Sequence, residues 1–232
     1  MKRLFKLAAL GIGGGVAVAG LAYAGLAAWT WTHYGHPDLP NEATDSLDTL
    51  FPAWDVRERL SLEVAAPPEI VFRAACFLRL RQIPAVRAVF RTRELALSAE
   101  PSPQSMLSLV EQARAWGWGV LSEKPGEEII FGAVTQPWEA NPVFRALPAE
   151  SFAGFQQPGF VKIAWTLRVQ PAQHGARVVT ETRVTSNDEA SRAHFRTYWA
   201  LVMPGTYLIR WFALRAIRKQ AEDAFSRQHL SS

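Results

Sequence analysis

No charged residue occurs from Leu7 to Thr32, a stretch built largely of Ala, Gly, Leu and Val and preceded by Lys2, Arg3 and Lys6. A helix over the 23 residues Leu7 to Trp29 would be about 35 Å long, enough to cross the hydrocarbon core of a bilayer. Trp29, Trp31 and Tyr34 follow at its far end, where amphipathic rings favour the headgroup layer. Positive charge before the run and acidic charge after it predict a single-pass anchor. Its N-terminus faces the cytoplasm, and the rest of the chain lies on the periplasmic or extracellular side. Ala22-Tyr23-Ala24 offers a rival reading, the cleavage site of a secretory signal. The apolar run is longer than the roughly 7 to 15 residues of a signal core, which favours retention. Gly11 and Gly15 form a GxxxG pair through which two such helices would make a homodimer, although small residues are common in membrane helices.

Behind this run the 232-residue chain has length for one domain with its own core. Charge is unevenly placed: residues 38 to 69 carry eight acids against Arg57 and Arg59, whereas residues 70 to 232 carry a net +7. The single cysteine, Cys76, excludes an intrachain disulfide and a cysteine-cluster zinc site. It lies in an apolar stretch of helical spacing and reads as a buried, inert thiol.

The expected organisation is an anchor over residues 1–32, a Pro-containing acidic linker over 33–55 and a domain over 56–228. In the domain, Leu60, Leu62 and Val64 alternate as in a half-buried strand. Pro67-Pro68-Glu69 opens a helix. Pro84 opens a second through Phe90, and a third is expected from about Gln104 to Ala115. Strands are expected over 118–122 and 127–134. The clearest β signal runs over 160–169, turns at 171–175 and returns over 177–184. A long last helix follows, with Ser186 as its cap, Glu189 completing a capping box, and a kink or break near Met203, where Pro204-Gly205 interrupts it. Strands and helices are segregated, so the fold class is α+β.

The segment from Leu62 to Phe72, the returning strand ending Thr180-Glu181-Thr182-Arg183-Val184 and the long last helix together resemble the START-like, or polyketide cyclase-like, helix-grip superfamily (SRPBCC). The resemblance covers roughly Val56 to Ala224. It implies a curved antiparallel sheet wrapped around the C-terminal helix, with an apolar cavity between them. Members bind lipids, sterols, polyketides and plant hormones, and some are cyclases. No family residue set for one of these activities maps onto this chain. The stretch from Gln136 to Pro158 is longer than a minimal member needs, and reads as a lid or as padding.

Candidate site residues follow from parity and aromatic content. Nine Trp and thirteen Phe must be housed in a core or a pocket. Phe131, Trp138, Trp165, Tyr198, Trp199 and Val202 are candidate pocket walls, with ordinary core packing as the alternative. Glu181 and Arg183 share one face of their strand. They either hold a ligand's polar group or pair on the solvent face, in which case Val178, Thr180, Thr182 and Val184 face inward. Catalytic motifs such as G-x-S-x-G, the P-loop and H-E-x-x-H do not occur in the sequence. His33 and His36 have no third ligand near them in sequence, so neither a metal nor any other cofactor is expected. Arg73, Arg79, Arg81, Arg87, Arg91 and Arg93 cluster without a nucleic-acid recognition motif. They suit anionic headgroups or a solvated face.

The functional expectation is therefore a membrane-tethered binder or carrier of an apolar small molecule or lipid. One alternative is a cyclase- or hydrolase-type enzyme using an acid such as Glu181 or Glu139. Another is an envelope scaffold without a ligand.

Overall fold

The computed structural model describes residues 20–32, 34, 46–96 and 106–230. Residues 20–32 are helical (α1), and Ser46–Leu50 forms the short helix α2. Strand β1 is Val56–Val64, followed by helices α3 (Pro68–Cys76), α4 (Pro84–Ala96) and α5 (Leu109–Ala115). Then come strands β2 (Gly119–Lys124) and β3 (Glu128–Thr135), the short helix α6 (Ala149–Ala153), and the paired strands β4 (Val161–Ala172) and β5 (Gly175–Ser186). Helix α7 runs from Glu189 to Leu230. The strands form a five-stranded antiparallel sheet in the order β1-β5-β4-β3-β2. The α+β class holds.

Period-two alternation sets what each face of the sheet carries. On the inner face, Val64, Leu167, Val169 and Val178 pack with Val71, Ala75, Leu214 and Ile217 of α3 and α7. On the outer face, Ile130, Val134 and Ala164 pack beneath Leu47, Phe51 and Phe152. Three layers result: long helices, sheet, and a thin cover of short helices and loops. Residues 46–55, read from the sequence as the end of a linker, belong to that cover. Leu47 and Phe51 are buried, and Asp55 accepts from the Ser186 backbone N–H at 2.7 Å.

Three local expectations are corrected. Helix α7 is capped by Asp188, not Ser186. The Asp188 carboxylate accepts from the Ser191 N–H at 2.8 Å and the Gly159 N–H at 2.6 Å, while Ser186 is still paired with Val161 in the β4–β5 ladder. Helix α5 starts at Leu109, where Ser108 and Glu111 form a capping box; the Ser108 N–H donates to Glu111 at 2.9 Å. Helix α7 is not broken at Pro204. A proline inside a helix costs about 3 kcal/mol; here Met203 and Pro204 are buried, and Gly205 lies against Val89 of α4. Packing holds the helix together through the missing hydrogen bond.

The turn between β4 and β5 is also tighter than expected, because both strands extend to an Ala172–Gly175 pair. Gly175 has φ +131°, and a Cβ there would lie 2.3 Å from the Val64 carbonyl oxygen. Only glycine lets β5 start this close to the end of β1.

Residues 7–19 of the expected anchor, with Gly11 and Gly15, lie outside the described residues, as do His33 and His36. Among the described residues no helix is long and apolar enough to cross a membrane.

Candidate ligand-binding site

A cavity of about 280 Å³ lies between the inner face of the sheet and α7. Its sheet wall is Ile163, Trp165 and Leu167 of β4 with Thr180, Thr182 and Val184 of β5. The ladder pairs Ile163 with Val184, Trp165 with Thr182 and Leu167 with Thr180, so these side chains stand in adjacent rows on one face. The helix wall is Tyr198, Trp199, Val202, Thr206, Ile209 and Arg210, with Ala213 below them. Pro137 and Phe144, from the long stretch after β3, close another side. Phe144 stacks on Trp118 with ring centroids 5.1 Å apart. That stretch thus supplies cavity wall.

The polarity of the cavity is concentrated in one corner. Glu58, Thr182, Trp165 and Phe131 form a single cross-strand row through β1, β5, β4 and β3. Arg210 descends from α7 onto the polar end of this row. Its guanidinium donates to Glu58 Oε2 at 3.1 Å and to Thr182 Oγ1. Both charged side chains are largely buried, and the ion pair leaves the corner close to neutral. Glu58 Oε1 is buried and makes no hydrogen bond among the described residues, but Glu58 itself does not line the cavity; Arg210 and Thr182 do.

The sequence candidates divide. Trp165, Tyr198, Trp199 and Val202 line the cavity. Phe131 is fully buried and stacks on Trp165 at 4.6 Å, so it backs the wall without lining it. Trp138 packs with the Val56, Phe195 and Trp199 cluster, its ring 5.5 Å from that of His194.

Glu181 and Arg183 are not in the cavity wall. They are on the outer face, because Thr180, Thr182 and Val184 take the inner positions. Nor are they solvated: both side chains are 0 % exposed, beneath Phe51 and Trp54. Glu181 accepts from Arg57 Nε at 2.8 Å, Arg59 at 3.3 Å and Arg183 Nε at 2.7 Å. Arg183 also donates to the Phe51 carbonyl at 3.0 Å and lies 4.4 Å from the Trp54 ring centroid. Asp48 pairs with Arg183 at 2.6 Å. Burial alone would raise the Glu181 carboxyl, but the hydrogen bonds and charges of Arg57 and Arg183 outweigh it and hold the pKa below the usual carboxylate value. This carboxylate is ionised, fully engaged and on the far side of the sheet from the cavity, so it does not serve as a cavity acid. Glu139 is exposed.

Sequence reasoning did not single out Glu58 or Arg210 as site residues. A signal was present. Glu58 has the parity of Val56, Leu60 and Leu62, a charge on an otherwise apolar strand face, and Arg210 falls on the same helical stripe as Val202, Thr206 and Ala213.

Among the described residues no three His, Cys, Asp or Glu side chains lie together as a metal site would require. His174 is exposed in the β4–β5 turn. Burial pushes the Cys76 thiol up to about 11, with a smaller push from Glu123.

Comparison with family models and with curated proteins gives no match. Among solved structures the chain is similar to protein CV1439 from Chromobacterium violaceum, with 16% identity, a TM-score of 0.34, and 72% of this chain and 96% of that one covered. It is also similar to protein MLL2253 from Mesorhizobium loti, with 15% identity, a TM-score of 0.32 and coverage of 71% and 98%. A third is hypothetical protein jhp0584 from Helicobacter pylori, with 7% identity, a TM-score of 0.37 and coverage of 79% and 98%. At these TM-scores the likeness carries no argument about fold family or function.

Proposed function

We propose that this chain is a membrane-tethered binding or carrier domain for an apolar small molecule or lipid, held in a helix-grip arrangement between the sheet and α7. The observation that carries the reading is the cavity itself: apolar walls of Ile163, Trp165, Leu167, Val202 and Ile209 with one polar corner at Arg210 and Thr182, where Arg210 is paired with Glu58. Its volume of about 280 Å³ is close to the lower end of small-molecule sites, roughly 300–1,000 Å³. Affinity would come from burial, at about 25 cal/mol per Å² of apolar surface removed from water. Orientation would come from the corner. Because Glu58 already neutralises Arg210, the corner suits an uncharged polar group, which Arg210 and the Thr182 hydroxyl would meet. The uncharged run from Leu7 to Thr32 supports the tether.

The test is mass spectrometry of the full chain extracted with its native membrane and purified without a lipid-stripping detergent. A stoichiometric apolar compound is expected in the wild type and is expected to be lost in Ala213→Phe, which fills the cavity from α7. A wild type that carries none, and takes up none from a total lipid extract, would sink the reading.

A further inference from the structure

The face of α7 turned away from the cavity is apolar and exposed. Leu201, Leu208 and Arg215 recur every seven residues, two helical turns apart, with Trp211 beside them. Leu201 is 58 % exposed, Leu208 43 % and Trp211 36 %. Arg215 lies across the Trp211 ring, 3.8 Å from its centroid; Lys219, one turn on, is exposed and paired with Asp223 at 2.8 Å. An aromatic ring and aliphatic side chains that end in a basic group are the composition of a helix face that rests on an anionic bilayer.

Helix α1 is a second, independent observation beside this stripe. Its described residues carry no charge, yet nearly all of them are exposed, Leu21 at 74 %. A helix apolar on every side is stable only when something apolar surrounds it. Helix α1 leans on the start of the same α7 face. Tyr23 donates to the Leu201 carbonyl, and Arg196 donates to the Trp31 carbonyl at 2.9 Å with its guanidinium 4.5 Å from the Trp31 ring centroid. Leu201, the first residue of the stripe, is thereby held next to the chain segment that continues back through an uncharged run to Lys6, Arg3 and Lys2.

We propose that α1 and the outer stripe of α7 form one lipid-facing surface, so that α7 rests on a bilayer containing anionic lipid along Leu201, Leu208 and Trp211 while its opposite face closes the cavity. Arg215 meets the headgroups. The domain then lies against the membrane through a structured helix, and the cavity is one helix thickness from lipid. This goes beyond the cavity reading and does not depend on what the cavity holds.

The experiment uses the full chain with Cys76→Ala and one new cysteine, Leu208→Cys in one protein and Gln173→Cys, in the exposed turn at the far end of β4, in another. Each is labelled with an environment-sensitive fluorophore and reconstituted in phosphatidylcholine–phosphatidylglycerol vesicles. The Leu208→Cys label is expected to shift to the blue and to be quenched by brominated lipid several-fold more than the Gln173→Cys label, which iodide in the water should quench instead. Equal quenching of both labels by iodide would overturn the proposal, as would failure of the chain to float with the vesicles. A label shielded from iodide and untouched by brominated lipid would assign the stripe to a second copy of the chain or another protein, and would also overturn it. The cavity reading is judged separately, on bound lipid.

Discussion

Arg183 Nε donates to Glu181 Oε1 at 2.7 Å with neither side chain exposed to solvent, on the face of the sheet opposite the cavity. Two charged residues two apart on one strand thus form the centre of a buried polar network that also holds Arg57, Arg59 and Asp48. Removing one member leaves another charge buried without its full complement of partners, which costs about 3–5 kcal/mol. Arg183→Ala is expected to lower stability by that order, read as a lower urea midpoint. Its bound-ligand content, measured below the unfolding transition, is expected to stay at the wild-type level, because the network does not touch the cavity.

Arg210 and Glu58 form the second buried pair, this time at the cavity corner. Arg210→Met alone is expected to destabilise by about 3 kcal/mol, since the Glu58 carboxylate is stranded. The double variant Arg210→Met with Glu58→Leu is expected to recover most of that loss, as apolar replacement of a whole buried pair commonly does. Chemical denaturation of the two single variants and the double gives the coupling directly. The double variant should still take up lipid while losing its preference for ligands with an uncharged polar group, because Arg210 is the part of the pair that lines the cavity.

Asp188 caps α7 with its carboxylate, and the hydrogen bonds from the Ser191 hydroxyl, Gly159 N–H and Ser191 N–H hold its pKa down at about 2. A carboxyl whose pKa is lower folded than unfolded contributes stability that is complete above the unfolded value. That stability is lost as pH falls through the folded value. The window here runs from about pH 4 down to about pH 2. Asp188→Asn keeps an acceptor at the cap but does not titrate. Its stability, compared with wild type by thermal melts across that window, should fall less steeply with acid.

Cys76 is half-buried at the end of α3, and burial raises its thiol to about 11. Little thiolate is present at pH 8, so alkylation by iodoacetamide in the folded protein should be about a hundredfold slower than in urea. Intact-mass time courses in the two conditions check this.

Local periodicity made most of the elements legible. Alternation over 160–169 and 177–184 marked the longest hairpin, Pro67-Pro68 marked the start of α3, and the stripe from Phe195 to Ala213 marked α7. Errors fell where a local signal competed with pairing elsewhere. Ser186 has the chemistry of a cap, but its backbone is claimed by Val161 and Asp55, and the cap passes to Asp188. Pro204 has the chemistry of a helix breaker, but α4 packs where the helix would have opened.

The sequence by itself determined the α+β class, the parity of each strand and the uncharged character of residues 7–32, because these depend on neighbours a few positions apart. It did not determine which face of β5 meets the cavity. Both faces of that strand are covered, so apolar content does not distinguish Thr180, Thr182 and Val184 from Val179, Glu181 and Arg183. The choice was made by partners far along the chain. Arg57, 124 residues before Glu181, neutralises that carboxylate on one side. Arg210, 152 residues after Glu58, reaches over the other. A buried charge is tolerated only where an opposite charge is brought to it, and only the tertiary structure brings these together.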